Sequence, residues 1–84
     1  MFYKINFSKL AFKELAKIPE PYYSNIKQVI YNLPENPRPQ GYKSLKGRTG
    51  FRIRVGNYRI IYDIIDTVLV VNVITIGHRK DVYQ

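Results

Sequence analysis

The sequence predicts an α+β domain: a strand, a two-helix hairpin and a three-stranded antiparallel meander in that order, with the helices packed on one sheet face. Three observations lead there. Residues 51–62 read FRIRVGNYRIIY, two alternating runs joined by Gly56-Asn57, the two-residue signal of a β-hairpin. Residues 9–18 and 22–33 carry apolar side chains at helical spacing, punctuated by Pro19, Pro21 and Pro34. Residues 68–76 form a further apolar run after an Asp66-Thr67 turn, long enough to return beside residues 58–65.

Each element has a local reason. Residues 2–7 alternate, with Phe2, Lys4 and Asn6 on one side and Tyr3, Ile5 and Phe7 on the other, as a strand requires. Ser8 reads as an N-cap for a helix of about ten residues, whose apolar side is Ala11, Leu15 and Ile18 with Leu10 beside them, ending at Pro19. Its other side shows Lys9, Lys13 and Lys17, a stripe suited to solvent or to RNA. Pro21 fits the first turn of the second helix, and Tyr22, Ile26, Val29, Ile30 and Leu33 continue its apolar face to Pro34. Residues 34–50, PENPRPQGYKSLKGRTG, read as an irregular basic connection with Arg38, Lys43, Lys46 and Arg48.

Register follows from the turns. A Gly56-Asn57 turn sets Val55 opposite Tyr58, Ile53 opposite Ile60 and Phe51 opposite Tyr62 on a continuous apolar face. A turn at Asp66-Thr67 sets Ile64 opposite Leu69, Tyr62 opposite Val71, Ile60 opposite Val73 and Arg59 opposite Ile74. The reverse face of the first hairpin then holds Arg52, Arg54 and Arg59, with Arg54 directly facing Arg59. Like charges so placed destabilise a sheet, so an anion is their natural partner. A guanidinium is planar, permanently charged and matched to phosphate in two-point geometry, which points to a phosphodiester.

Composition narrows the class. Eighty-four residues make one domain, 1–84, and fourteen Lys and Arg against six Asp and Glu leave a net charge of +8, favouring nucleic acid or an acidic protein as partner. With no cysteine and no apolar run near the roughly 18 residues that span a bilayer, neither export nor a membrane is indicated, and cytoplasm is the expected location.

A two-metal nuclease needs clustered carboxylates, whereas Asp63, Asp66 and Asp81 are scattered and Glu14, Glu20 and Glu35 belong to the helical half, so no cofactor is expected. Metal-free RNA cleavage remains, in which the substrate's own 2'-OH attacks. It requires that hydroxyl to be deprotonated, the leaving 5'-oxygen stabilised and the phosphorane charge neutralised. Arginine supplies the last, but its pKa above about 12 keeps it out of proton transfer. Tyr83 and His78 are the candidates for that, the phenol being favoured as phenolate by surrounding positive charge.

These residues carry a family likeness. LKG at 45–47, RIRVGNYRIIY at 52–62 and GHRKDVY at 77–83 resemble the RelE-type toxins of the RelE/ParE toxin-antitoxin superfamily across nearly the whole chain. The resemblance implies a RelE-like fold and a ribonuclease that cuts messenger RNA in the ribosomal A site, held inactive by a cognate antitoxin. By position it implies Arg52 and Arg54 on substrate phosphate, Arg59 on the transition state, Arg79 on the leaving oxygen and Tyr83 as base. Lys46, Arg48 and His78 complete the set of expected RNA contacts. Some members carry lysine where Arg52 and Arg54 stand, so proton transfer is not expected of those two positions here. The expected antitoxin is RelB-like, acidic and partly helical, complementing the +8 charge. Two other readings are a ParE-like toxin that poisons DNA gyrase and a non-catalytic RNA-binding module.

Overall fold

The computed structural model describes residues 2–78. Its elements run β1 (Lys4–Phe7), α1 (Lys9–Ala16), α2 (Tyr22–Asn32), β2 (Lys43–Ser44), β3 (Phe51–Val55), β4 (Tyr58–Ile65) and β5 (Val70–His78). The strands form one mixed sheet in the order β1-β5-β4-β3-β2, with β1 parallel to β5 and every other pair antiparallel. This is the expected α+β arrangement, with two additions. The first strand joins the far edge of the meander, and Lys43-Ser44 of the basic connection pairs with β3 as a fifth strand.

The helices start where the sequence places them. Ser8 Oγ accepts the Ala11 N–H at 2.9 Å, capping α1, an interaction worth about 1 kcal/mol. Pro21 stands just ahead of α2, and the Glu20 carboxylate accepts from the Ser24 N–H and hydroxyl at 3.1 and 2.8 Å, meeting donors that a helix N-terminus leaves open. Ala11 and Leu15 of α1 and Ile26 and Ile30 of α2 pack with Leu33 against Ile53, Ile60, Tyr62, Val71, Val73 and Ile76. One sheet face is therefore the core. Among the described residues no helix is long and apolar enough to cross a membrane.

Register between β4 and β5 departs from expectation in two steps. Residues 66–69 make a four-residue turn with Leu69 at φ 55°, so Tyr62 meets Val73 and Ile64 meets Val71, two residues along from a two-residue turn. An even slip leaves every side chain on its expected face. The second step is a bulge: Tyr62 pairs with Val73 but Ile61 with Thr75, leaving Ile74 as the extra residue. Arg59 consequently lies opposite Gly77, not Ile74.

Helix α1 holds the bulge. The Ser8 N–H donates to the Val73 carbonyl at 2.9 Å and Ser8 Oγ to the Ile74 carbonyl at 2.6 Å. One oxygen of Glu14, Oε1, accepts from the Thr75 hydroxyl and from the Ile76 N–H, both at 2.8 Å. β1 pairs only as far as Val73, so the Ser8 and Glu14 side chains take over the Ile74 carbonyl and the Ile76 N–H that β1 stops serving.

The opposite end of the sheet is tied down by Tyr62, which is 0% exposed and donates from its hydroxyl to the Pro37 carbonyl at 2.9 Å. Nearby, Asp66 accepts from Tyr3 at 2.6 Å and pairs with Arg38 at 3.0 Å, and the hydrogen bonds from Arg38 and Tyr3 hold its carboxyl below the ordinary value of 3.8. Burial pushes the Tyr62 phenol up to about 12 from 10.0. The unfolded chain therefore releases this proton first as pH rises, and its contribution to stability, full below pH 10, declines between about 10 and 12. Tyr62→Phe is expected to cost about 1–2 kcal/mol at neutral pH and to flatten that alkaline decline, measurable by thermal melts across pH 8–12.

Candidate nucleic-acid interface

The sheet face away from the helices is built by alternation. Phe51, Ile53 and Val55 turn toward the core, so Arg52 and Arg54 point the other way, two residues and about 7 Å apart along β3. On β4 the same rule sends Ile60 and Tyr62 inward and Arg59 outward. Pairing then makes two cross-strand rows. Lys43, Arg52, Ile61 and Thr75 form one, and Arg54, Arg59 and Gly77 the other. Lys43, Arg52, Arg54 and Arg59 thus make a four-cation cluster across β2, β3 and β4.

Burial grades this cluster. Arg54 and Lys43 are exposed and Arg52 is half-buried, whereas Arg59 is only 4% exposed. The sequence leaves Arg59 on an open face. It lies on the central strand β4, with Arg54 of β3 on one side and Gly77 of β5 on the other. Ile61 on the same face is 2% exposed, although it stands outside the main core cluster. The only ion pair among the described residues is Arg38 with Asp66, so neither Arg52 nor Arg54 is neutralised by a carboxylate there. Low dielectric around a guanidinium raises its electrostatic effect on an anion brought beside it.

His78 arrives at this end of the sheet because the bulge sets it opposite Tyr58. Its ring meets Tyr58 edge-on at 5.8 Å, and Tyr58 in turn packs on Tyr22 of α2 at 5.5 Å. Tyr58 is half-buried and Tyr62 wholly buried, so both phenols belong to the helix-covered side, as expected.

Lys46 and Arg48 lie elsewhere. The Leu45 N–H donates to the Gly50 carbonyl at 3.0 Å, closing residues 46–49 into an exposed tip at the start of β3. Gly50 permits this closure: at φ 119° an added Cβ would sit 3.1 Å from Leu45 Cδ1 and 3.2 Å from Asp63 Oδ1. Arg54 is near the other end of β3, about 13 Å of strand away from Gly50. The structure brings Arg52, Arg54 and Arg59 together on one sheet face, places His78 at the Arg54 end but on the Tyr58 face, and sets Lys46 and Arg48 at the other end of β3 from Arg54. Arg79 and Tyr83 lie outside the described residues. Lys43 is the addition that sequence reasoning did not assign to the cluster; its only signal is its place in a basic stretch.

Known proteins share this sequence and this fold. The family described as ParE toxin of type II toxin-antitoxin system, parDE, matches residues 5–83. The mRNA interferase toxin RelE of Escherichia coli K12 is 31% identical over 83 residues, covering 95% of this chain and 86% of that protein. Among solved structures, the RelE-RelB complex from Pyrococcus horikoshii superposes with a TM-score of 0.84 at 24% identity, covering 96% of this chain and 99% of that one. The toxin-antitoxin complex RelBE2 from Mycobacterium tuberculosis superposes at 0.81 with 26% identity, covering 94% of this chain and 100% of that one.

Proposed function

As the chain belongs to the RelE/ParE superfamily of type II toxin-antitoxin toxins, and is of RelE type, we propose that it is an endoribonuclease that cuts messenger RNA in the ribosomal A site. The observation that carries this reading is the direct facing of Arg54 and Arg59, flanked by Arg52 and Lys43, with no carboxylate paired to Arg52 or Arg54 among the described residues. Like charges so placed are stabilised when an anion joins them. A phosphodiester does so, because its two free oxygens match the paired N–H groups of a guanidinium.

In this mechanism the 2'-OH of one ribose attacks the adjacent phosphorus as it loses its proton, the P–O5' bond breaks, and the leaving O5' takes a proton from water, so that a 2',3'-cyclic phosphate and a 5'-hydroxyl result. Arg52 and Arg54 grip the phosphate and orient the strand. Arg59 stabilises the extra charge that develops on the phosphorane, where an enclosed guanidinium has the largest effect. Arg79 supports the leaving oxygen and Tyr83 removes the 2'-OH proton; His78, whose ring packs on Tyr58 on the face away from the arginines, is the less suited of the two proton carriers. Lys46 and Arg48, at the far tip, touch RNA away from the cut. The partner that silences the site is a RelB-like antitoxin, acidic and partly helical, in keeping with the +8 charge and with the relatives solved as RelE-RelB complexes.

Mapping messenger 5' ends after brief induction tests the reading. Cuts in phase with codons are expected; intact ribosome-bound messenger together with blocked DNA supercoiling would instead assign a gyrase-directed toxin. Arg52→Ala with Arg54→Ala is expected to weaken RNA binding and to lower the slope of log affinity against log salt by about 1–2, as each arginine neutralises one phosphate. An unchanged slope in filter-binding titrations would show that neither arginine holds a phosphate.

A further inference from the structure

We propose that Glu14 is a positioning residue for this site: by clamping the β5 bulge it sets Gly77 beside Arg59. The inference rests on the ribonuclease reading above and adds to it a residue from the opposite, helical layer. Glu14 lies on α1 and reaches β5 through a single oxygen, Oε1, that accepts from Thr75 Oγ1 and from the Ile76 N–H, each at 2.8 Å. These hydrogen bonds span 61 and 62 residues of chain. Ser8, at the start of the same helix, grips the Val73 and Ile74 carbonyls. Four hydrogen bonds from one helix and its cap therefore bracket the extra residue, Ile74, on both sides.

The register shows what the clamp controls. If the Tyr62–Val73 pairing continued without a bulge, Ile61 would meet Ile74, Ile60 would meet Thr75 and Arg59 would meet Ile76. Thr75 would then face the core and Ile76 would stand next to the arginine. With the bulge, Ile76 enters the core at 1% exposure, and the neighbour of Arg59 is Gly77, which adds no side chain at that position. Tyr58 likewise pairs with His78 instead of Gly77. One residue of slip thus decides which β5 residue stands beside Arg59 and which beside Tyr58.

A carboxylate suits this task better than a further strand. β1 ends its pairing at Val73, leaving the Ile76 N–H at a sheet edge. An ionised acceptor makes stronger hydrogen bonds than a neutral one, and it satisfies that N–H without continuing a regular ladder that would erase the bulge. Glu14 has no ion pair among the described residues, so its carboxylate is committed to β5 rather than to the lysines of its own helix.

Single-turnover cleavage by the full chain on ribosomes carrying a defined messenger tests the proposal, with ribosome affinity measured in parallel. Glu14→Ala is expected to slow cleavage at saturation about 10- to 100-fold while ribosome affinity changes less than about threefold, as misplacement of reacting groups predicts. Glu14→Gln, which keeps an oxygen acceptor, is expected to retain most of the rate. Thr75→Val removes one donor without touching α1 and is expected to slow cleavage about three- to tenfold, which keeps the test decisive if Glu14→Ala does not fold. Cleavage within about twofold of the parent for both Glu14→Ala and Thr75→Val would overturn the proposal, as would a Glu14→Gln variant as slow as Glu14→Ala. Amide exchange and interstrand NOEs separate this inference from the ribonuclease reading. Weakened Ile76 protection and a missing Arg59–Gly77 NOE in Glu14→Ala support the clamp even if the parent cuts no RNA, whereas retention of both refutes it.

Discussion

Replacing Arg59 by methionine is expected to lower RNA cleavage about 100- to 1000-fold and to abolish growth arrest on induction, while the chain still folds and still binds ribosomes. Methionine keeps most of the side chain's apolar stem inside an enclosed position, so the change reads the guanidinium instead of a cavity. The size of the effect follows from place. Arg59 is on the central strand, 4% exposed and facing Arg54, where, on the proposed mechanism, charge on a phosphorane would be stabilised with little solvent screening. Arg54→Ala, on an exposed position, is expected to cost less. Equal toxicity of Arg59→Met and the parent would show that the transition state is stabilised elsewhere and would remove the central role assigned to this residue.

The largest stability effect is expected one residue along. Ile60 is 0% exposed, sits on β4 between Ile53 and Ile76, and faces the buried side of both helices. Ile60→Ala should cost about 2–5 kcal/mol, the range for deleting a fully buried branched side chain in a close-packed core. In a chain of this size each 1 kcal/mol shifts the melting temperature by about 4–8 °C, so a fall of about 10 °C or more is expected by calorimetry. Because Ile60 and Arg59 are neighbours on opposite faces, the two variants separate packing from chemistry. Ile60→Ala should leave cleavage per folded molecule unchanged at low temperature, and Arg59→Met should do the reverse.

Much of the site is legible in the residues themselves. Gly56-Asn57 between two alternating runs is a short-range signal, and the pairing it implies, Val55 with Tyr58 through Phe51 with Tyr62, is the pairing observed. Ser8 caps the helix that follows it, as its residue type and place imply. The Asp66-Thr67 turn is harder, because a two-residue and a four-residue turn keep the same side chains on the same faces and periodicity cannot tell them apart. The bulge leaves one trace in the sequence, adjacent Val73 and Ile74 where alternation calls for a single apolar residue, but a doubled apolar pair has several explanations until its partners are seen. Lys43 gives no sign of joining the cluster, since a two-residue strand has no period to detect.

What the residues alone determined is whatever depends on neighbours along the chain: helix starts and stops, the hairpin, the inward and outward faces, the gathering of Arg52, Arg54 and Arg59 on one of them, and the charge that asks for an anion. The tertiary structure decided the parallel docking of β1 on β5, the burial of Arg59, the distance of Lys46 and Arg48 from it, and the slip that puts Gly77 at its side. The physical reason is range. Local patterns are fixed by backbone geometry within a few residues, whereas the β5 register is set by hydrogen bonds from Ser8 and Glu14 to a strand more than sixty residues later, and no periodicity in either segment carries that information.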